Sequence, residues 1–191
     1  MRAAHELLVE NGYTATTIAA IAARAGVSAP TVYAGFGSKA QLLKVAIDIA
    51  LAGDDDSAPV AARPLSTWVY EADTAEGLVG RYAEMMGELG SRAGAIYDVL
   101  VRAADAEPEL ASLLGDLEQQ RLRAATMVAR GIRDRGGLPR GRTLDEARDI
   151  VWIVNAPELY VNLTTKRRWS TKRYVAWARN TLTKLVLEPP T

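Results

Sequence analysis

Residue types that commonly carry catalytic chemistry are scarce in this sequence of 191 residues. There is no cysteine and one histidine, His5, which excludes a thiolate nucleophile, a disulfide and a cluster of zinc-binding imidazoles. No phosphate-binding glycine loop and no Gly-x-Ser-x-Gly motif is present. Three carboxylate pairs occur at spacings typical of solvated helix faces: Glu84 and Glu88, Glu107 and Glu109, Asp145 and Asp149. The sequence therefore predicts neither an enzyme nor a bound cofactor or metal.

A second kind of chemistry, the reading of a polyanion, is suggested by a pair of short helices between Ile18 and Phe36. Ala22 permits close approach of two helices, and Gly26 suits a tight turn that needs positive φ. Three branched residues are spaced to form a small core between the helices: Ile21, Val27 and Val32. The pattern predicts a helix-turn-helix, whose second helix can enter the major groove of DNA.

The overall charge is zero, but it is unevenly distributed along the chain. Residues 1–52 have four basic and three acidic side chains, residues 53–143 have 11 and 15, and residues 144–191 have eight and five. This distribution argues against non-specific polyanion binding by the whole molecule and permits a locally basic surface. Apolar residues make up 49% of the chain, yet no stretch approaches the roughly 20 apolar residues of a membrane span. Since no secretory signal is seen either, we expect a soluble cytoplasmic protein without a membrane partner.

Elsewhere the sequence has the periodicity of helices and lacks strand signals, which predicts an all-α fold. Thr17, Ser28 and Ser38 are suited to begin the second, third and fourth N-terminal helices. We expect a helix-turn-helix domain at 1–51, a linker at 52–65 that includes the solvated acids Asp54 to Asp56, and a larger helical domain at 66–191. The helices of the larger domain are predicted at about 66–72, 75–91, 94–105, 108–136, 143–165 and 170–187.

A longer set of residues extends the helix-turn-helix pattern to about residues 3–50. It comprises Gly12-Tyr13-Thr-Ala-Thr-Thr17, Ile21-Ala22, Ala25-Gly26-Val27-Ser28, Thr31-Val32-Tyr33, Phe36-Gly-Ser38-Lys39 and Leu42-Leu43. This string closely resembles the N-terminal domain of TetR-family transcriptional regulators, and the remainder is similar to the family in the number, lengths and order of its helices.

The resemblance implies DNA contacts at seven positions. Thr17 would offer its hydroxyl and backbone N–H to a phosphate, and Lys39 would clamp another phosphate. Tyr33 would reach a phosphate or a thymine methyl group, while base edges or the adjacent backbone would be faced by Ser28, Ala29, Pro30 and Thr31. Each position also has a purely structural alternative: capping for Thr17 and Ser28, packing for Tyr33, and an ordinary solvated charge for Lys39.

Two departures from the family pattern predict weak DNA binding with modest salt dependence. Ala34 and Gly35 leave the reading helix poor in side chains that make bidentate base contacts, so shape readout gains importance. The basic arm that commonly precedes the first helix is represented by Arg2 alone, so either phosphate contacts are fewer or an upstream stretch is missing.

The resemblance further implies a homodimer on a palindromic or pseudo-palindromic double-stranded DNA operator, with repression relieved by a small-molecule effector. The last two helices would form the dimer through Ile150, Val151, Ile153, Val154, Val161, Val175, Ala178, Leu182 and Leu185, although an intramolecular core explains the same stripes. Candidate effector contacts are Tyr82, Met85, Met86, Tyr97, Arg102, Met127, Trp152, Asn155 and Glu158. Pro157 is expected to bend its helix at this site.

Two questions stay open at the level of the sequence. The basic cluster, formed by Lys166, Arg167, Arg168, Lys172 and Arg173, is interpreted as a solvated loop, with a second nucleic-acid contact as the alternative. The alternatives to a regulator are a cofactor-free enzyme and a helical adaptor that uses the helix-turn-helix for protein contacts, and neither would show DNA sequence preference.

Overall fold

The structure, a computed structural model, describes residues 1–53 and 64–188. All regular secondary structure in these two ranges is helical, which confirms the predicted all-α class with an N-terminal helix-turn-helix and a larger helical part. Asp54 to Asp56 and most of the predicted linker lie outside the described residues.

The N-terminal part contains α1 (Arg2–Ala15), α2 (Ile18–Ala25), α3 (Ala29–Phe36) and α4 (Lys39–Ala52). The three predicted caps are present: the side chains of Thr17, Ser28 and Ser38 accept hydrogen bonds from backbone N–H groups three residues later. Each cap satisfies a donor that a helix start otherwise leaves without a partner. The core of this part is made of fully buried side chains from α1 and α4: Leu8, Leu42, Leu43 and Ile47.

The rest of the chain forms α5 (Pro64–Tyr70), α6 (Ala75–Ala103), a 3₁₀ turn (Ala104–Ala106), α7 (Pro108–Asp134), α8 (Leu144–Val154), α9 (Pro157–Val161) and α10 (Thr171–Leu182). π-Helical segments follow α9 at Asn162–Lys166 and α10 at Thr183–Leu187.

The described residues divide into two compact units. The first unit contains residues 1–53 with 92–116, and the second contains residues 64–91 with 117–188. Helices α6 and α7 therefore contribute to both units. The predicted domains, in contrast, are each one continuous segment of the chain. The apolar core of the second unit includes Leu78, Val79, Tyr82, Val128, Ile132, Val151, Tyr174 and Leu182.

Three predicted helices differ from the observed ones, since two of them are joined and one is divided. The predicted interruption between 91 and 94 is wrong, because α6 continues through it to Ala103. Inside this continuous helix, Gly90 permits close packing, since a Cβ on it would lie 2.5 Å from the ring of Tyr160. The predicted helix 143–165 is divided, since α8 ends at Val154 and Pro157 begins α9, where its missing N–H costs no hydrogen bond.

Candidate functional site

The turn between α2 and α3 has the conformation that the glycine predicts. Gly26 has φ 70° and ψ 28°, a left-handed conformation that glycine adopts without a steric penalty. The next N–H, that of Val27, donates to the carbonyl of Ala22 at 3.0 Å, and Ala22 is buried. Ile21 and Val32 are buried as predicted, but the predicted core position of Val27 is wrong because its side chain is 46% exposed. The hydrogen bond to Ala22 holds the backbone of Val27 against α2, while the side chain of Val27 faces solvent.

Helix α3 presents the predicted reading residues on its outer surface. Pro30 and Thr31 are exposed and Tyr33 is 54% exposed, whereas Val32 between them is buried and anchors the helix. Ala29 is half-buried in the first turn. The helix therefore offers a short surface of one imino acid, one hydroxyl and one phenol to a partner.

At the starts of α2 and α3, residues predicted to contact DNA also cap the helices. The Ser28 Oγ accepts from the Thr31 backbone N–H at 3.2 Å and shares a 2.8 Å hydrogen bond with the Thr31 Oγ1. The exposed Thr17 accepts from the Ala20 N–H at 3.1 Å. Both hydroxyls thus have the structural role that the sequence left open, and DNA contacts by them stay a prediction.

Lys39 is held inside the first unit rather than extended into solvent. Its Nζ donates to the carbonyls of Tyr13 at 2.9 Å and Thr16 at 3.1 Å, and lies 4.0 Å from the centroid of the Tyr13 ring. The interpretation of Lys39 as an ordinary solvated charge is wrong, because two of its three donors are engaged by backbone carbonyls. A phosphate contact through the third donor stays a prediction.

The sequence patterns did not identify the buried Thr16 and Tyr13 as supports of this lysine. The Thr16 hydroxyl contacts the carbonyl of Gly12 at 2.7 Å, which fixes the chain where α1 ends. The Tyr13 hydroxyl donates to the Glu107 carboxylate at 2.9 Å. Burial first, and this hydrogen bond second, raise the pKa of Tyr13 above its ordinary value.

The other cations of residues 1–52 are also paired within the first unit. Arg24 lies 3.6 Å from Glu6 and 3.4 Å from Glu10. Arg2 lies 3.8 Å from the same Glu6. The remaining cation, Lys44, lies 2.6 Å from Asp48. These pairs are on the surface, so they hold the cations weakly, but they reduce the positive field that would attract a phosphate backbone.

The structure distributes the predicted effector contacts over both units. Tyr97 and Arg102 belong to the first unit, where Arg102 is exposed and pairs with Asp98 at 2.7 Å. Met127 is 46% exposed, so α7 turns it toward solvent. The other six predicted residues are buried or half-buried in the second unit: Tyr82, Met85, Met86, Trp152, Asn155 and Glu158.

A polar cluster inside the second unit includes one residue that was not predicted, Arg121. Its Nη2 donates to the carbonyl of Trp152 at 2.9 Å, and its guanidinium lies 5.3 Å from the centroid of the Trp152 ring. The phenol of Tyr82 is buried and lies within electrostatic range of this guanidinium. Burial is the main cause that raises the pKa of Tyr82, which keeps its hydroxyl protonated.

Arg121 has a sequence signal that could have identified it. It stands in the buried stripe of α7, four residues after Leu117 and four before Ala125. A charged residue at an apolar position of a helical repeat is costly to bury, so it points to a specific partner.

The predicted dimer residues fall into two groups. The side chains of five are buried in the core of their own unit, so their assignment to a dimer contact is wrong: Val151, Val154, Val161, Ala178 and Leu182. Ile150 and Val175 are half-buried, while Ile153 is 58% exposed and Leu185 is 46% exposed. An outward apolar surface therefore remains on α8 and after α10.

The basic cluster is exposed, but the predicted loop is correct only in part. Lys166 ends the π-helical segment, and Lys172 and Arg173 lie in the first turn of α10, so only Arg167 and Arg168 lie between helices. The guanidinium of Arg173 stacks over Trp169 at 4.1 Å, and Trp169 contacts Trp177 edge to face at 6.4 Å. These aromatic contacts give the segment a fixed shape.

In the part of the chain that the structure describes, no group of three or more His, Cys, Asp or Glu side chains could hold a metal ion. Nor is any described helix both long enough and apolar enough to cross a bilayer.

The described residues form an N-terminal helix-turn-helix followed by a larger helical part. Residues 1–46 match the family model described as bacterial regulatory proteins, tetR family. This match confirms the resemblance predicted for the N-terminal residues. No curated protein matches the sequence of this chain.

Solved structures share the fold along the whole length. A TetR-family regulator from Syntrophomonas wolfei has a TM-score of 0.75 at 14% identity, covering 100% of this chain and 94% of that one. A transcriptional regulator from Saccharomonospora viridis in complex with choline has a TM-score of 0.73 at 19% identity, covering 98% and 95%. The regulator FadR from Bacillus subtilis in complex with stearoyl-CoA has a TM-score of 0.71 at 18% identity, covering 97% and 95%.

Proposed function

We propose that this protein is a cytoplasmic, homodimeric DNA-binding repressor that a small-molecule effector releases from a palindromic or pseudo-palindromic operator. The outward surface of α3 is the observation that carries the proposal. Thr31 and Tyr33 are exposed there, while Val32 holds the helix to its domain. A buried anchor between exposed polar side chains is what a helix needs to insert into a major groove without losing its own support.

The surface of α3 favours readout by shape together with a few direct contacts. Thr31 can bond a base edge through its hydroxyl, and Tyr33 can reach a phosphate or a thymine methyl group. Ala34 and Gly35 are exposed and add no hydrogen-bonding side chain. Sequence preference must then arise in part from how easily the DNA deforms.

Selection of bound sequences from a random pool of DNA duplexes tests this function. We expect the full chain to select two related half-sites whose centres are separated by about one helical turn, roughly 34 Å. Tyr33→Ala and Thr31→Ala should each weaken binding by about tenfold or more, since a lost direct contact costs about 1–3 kcal/mol.

Thr14→Ala is the matched control for these variants, because Thr14 is exposed in the same unit but precedes the helix-turn-helix. It should bind like the parent. Equal losses in Thr14→Ala and Thr31→Ala, or selection of no preferred sequence, would contradict the proposal and favour an adaptor or an enzyme.

A homodimer is supported by the outward apolar residues Ile153 and Leu185. One short reading helix contacts few base pairs, and a twofold axis doubles the contact. In sedimentation equilibrium, Ile153→Glu should shift the protein toward monomer and weaken operator binding. Met127→Glu introduces the same charge at another exposed apolar position of the second unit and should stay dimeric. A dimeric Ile153→Glu variant would place the interface elsewhere.

An effector site in the second unit is supported by Tyr82, Arg121 and Trp152, each of which has a buried polar atom without a hydrogen-bond partner among the described residues, and by the contact between Arg121 and Trp152. By likeness of fold, the structures that hold choline and stearoyl-CoA support a ligand-responsive role for this chain. An effector releases DNA when it binds the DNA-free arrangement more tightly than the DNA-bound one.

Asn155 tests the position of the effector site. It ends α8 with φ −85° and ψ 14°, which leucine also adopts, so Asn155→Leu leaves the backbone unchanged. We expect this substitution to change effector affinity and leave operator affinity as it is. Equal changes in both would place the effector elsewhere.

A further inference from the structure

We propose that the effector is an organic carboxylate whose acid group binds between the guanidinium of Arg121 and the hydroxyl of Tyr82. The inference rests on the effector site proposed above and adds the chemical class of the ligand. It is derived from the charge of Arg121 and from four of the five buried polar atoms of the second unit that have no hydrogen-bond partner among the described residues, the fifth being the Arg142 Nε.

The four atoms have no hydrogen-bond partner among the described residues. They are the Tyr82 hydroxyl, the Arg121 Nε, the Trp152 Nε1 and the Glu158 Oε2. Leaving such a group without a partner costs about 1–3 kcal/mol, so several in one unit indicate a missing partner. Three of the four can donate a hydrogen bond, because Arg and Trp nitrogens are donors and the Tyr82 hydroxyl is protonated. A complementary ligand therefore presents acceptor atoms.

The charge of Arg121 selects an anionic acceptor over a neutral one. No ion pair joins Arg121 to an acidic side chain of the described residues, and its one hydrogen-bond partner there is the Trp152 carbonyl. That bond fixes one edge of the guanidinium and leaves the Nε edge buried. A guanidinium donates two parallel hydrogen bonds to a carboxylate, and a half-buried cation without a counter-ion gains most from one.

A cationic ligand is the main competitor, since the rings of Tyr82 and Trp152 belong to or pack against the core of this unit and the Glu158 Oε2 has no partner among the described residues. The ring of Trp152, which would be the best face for a quaternary ammonium, already carries the guanidinium of Arg121. A second cation there would meet like charge. Glu158 is better matched by a hydroxyl or amide N–H elsewhere on a carboxylate ligand.

Matched probes that differ in one group test the inference by calorimetry without DNA. The aromatic set is 4-hydroxyphenylacetate, its amide and tyramine, and the aliphatic set is hexanoate, hexanamide and hexylamine, with choline as an additional cation. We expect the carboxylate to bind about tenfold or more tighter than the amide in at least one set, and the amines and choline to bind more weakly still. Tighter binding of an amine or choline, equal binding of acid and amide, or binding of no probe would overturn the inference.

Two variants assign the carboxylate to its residues. Tyr82→Phe removes one buried, unpartnered hydroxyl, so it should melt at the parental temperature or higher while carboxylate affinity falls about tenfold. Arg121→Gln keeps a donor for the Trp152 carbonyl and should abolish the preference for acid over amide. Tyr13→Phe, which removes a phenol hydroxyl from the first unit, should bind the probes like the parent. Retention of the acid preference in Arg121→Gln would also overturn the inference.

Failure of this inference is separable from failure of the proposed function. A protein that selects an operator and is released from it by a cation keeps the proposed function and loses the carboxylate. A protein that binds carboxylates through Arg121 and selects no DNA sequence keeps the carboxylate site and loses the function.

Discussion

Glu6→Gln is the substitution that most directly perturbs the electrostatics of DNA binding. Glu6 pairs with two cations, Arg2 at 3.8 Å and Arg24 at 3.6 Å. Removing its charge frees Arg2 and leaves Arg24 with Glu10 alone, at 3.4 Å. We expect the variant to bind operator DNA more tightly than the parent at low salt, and the gain to disappear at high salt as these charges are screened.

The parent's salt dependence can be worked out from the cations of the first unit. Lys39 is engaged by two carbonyls and Arg24 by two glutamates. Arg2 and Lys44 are held by surface pairs four residues apart, worth about 0.3–0.5 kcal/mol, which a phosphate readily displaces. Two such cations in each subunit of a dimer predict a slope of log K against log salt of about −3.6, since each neutralised phosphate contributes about −0.9. Affinity then falls about 150-fold between 50 and 200 mM salt.

Fluorescence anisotropy with a labelled operator, titrated at several salt concentrations, measures this slope. In Glu6→Gln, Arg24 keeps Glu10 as its one acidic partner and becomes as easily displaced by a phosphate as Arg2 and Lys44, so two further cations in a dimer should steepen the slope by up to about 1.8. Glu188→Gln makes the same charge change at an exposed position of the second unit and should follow the parent. A parental slope steeper than about −6, or an unchanged slope in Glu6→Gln, would refute the reasoning, because cations outside this count would then contact the phosphates.

Three further predictions concern stability. Lys39→Met removes a donor from the carbonyls of Tyr13 and Thr16, of which the Tyr13 carbonyl still accepts from the Thr16 N–H at 3.3 Å. It should lower the free energy of unfolding in urea by about 1–2 kcal/mol, whereas Lys44→Met should change it by less than about 0.5 kcal/mol; equal effects would contradict the structural role of Lys39. The folded state keeps the Tyr82 proton that the unfolded state releases above pH 10, so unfolding free energy should fall above that pH by up to about 1.4 kcal/mol per unit for each such tyrosine, and less steeply in Tyr82→Phe; identical slopes would refute this. Hydrogen bonds from the Thr143 N–H and hydroxyl lower the pKa of Glu146, so its stabilising effect is present at neutral pH and lost as pH falls below about 4. Glu146→Gln should therefore lower the melting temperature at pH 7 and leave it unchanged at pH 3, and a lower value at both would assign the effect to packing.

The helix-turn-helix was largely predictable because its determinants are local. Thr17, Ser28 and Gly26 act within three or four residues of their own position, so their types specify caps and a turn before any tertiary contact forms. The prediction for Val27 was wrong because the direction of its side chain depends on the hydrogen bond that its own N–H donates to the carbonyl of Ala22. Apolar type alone does not distinguish these two directions.

The continuity of α6 was not predictable, because its reason lies far along the chain. Gly87 and Gly90 resemble helix terminators in sequence, but a Cβ at these positions would meet Val175 and the ring of Tyr160 at 2.4 Å and 2.5 Å. Their partners are 70 or more residues away, and no local pattern encodes that approach. Glycine inside a helix lowers its propensity, which packing of this kind offsets.

The proposed phosphate contacts of the first unit and the proposed anion site of the second unit are compatible in their expected free energies. Few releasable cations on α1 and α4 imply a modest operator affinity at physiological salt. To release the DNA, an effector must lower operator affinity by at least the amount by which that affinity exceeds the value needed for occupancy of the operator. A modest operator affinity therefore requires only a modest coupling free energy between the two sites. A preference of about 2 kcal/mol for the DNA-free arrangement, roughly 30-fold, is within the usual range of coupling between sites. One charge-assisted hydrogen bond pair, made by a carboxylate to Arg121 in one arrangement and weakened in the other, is of that size.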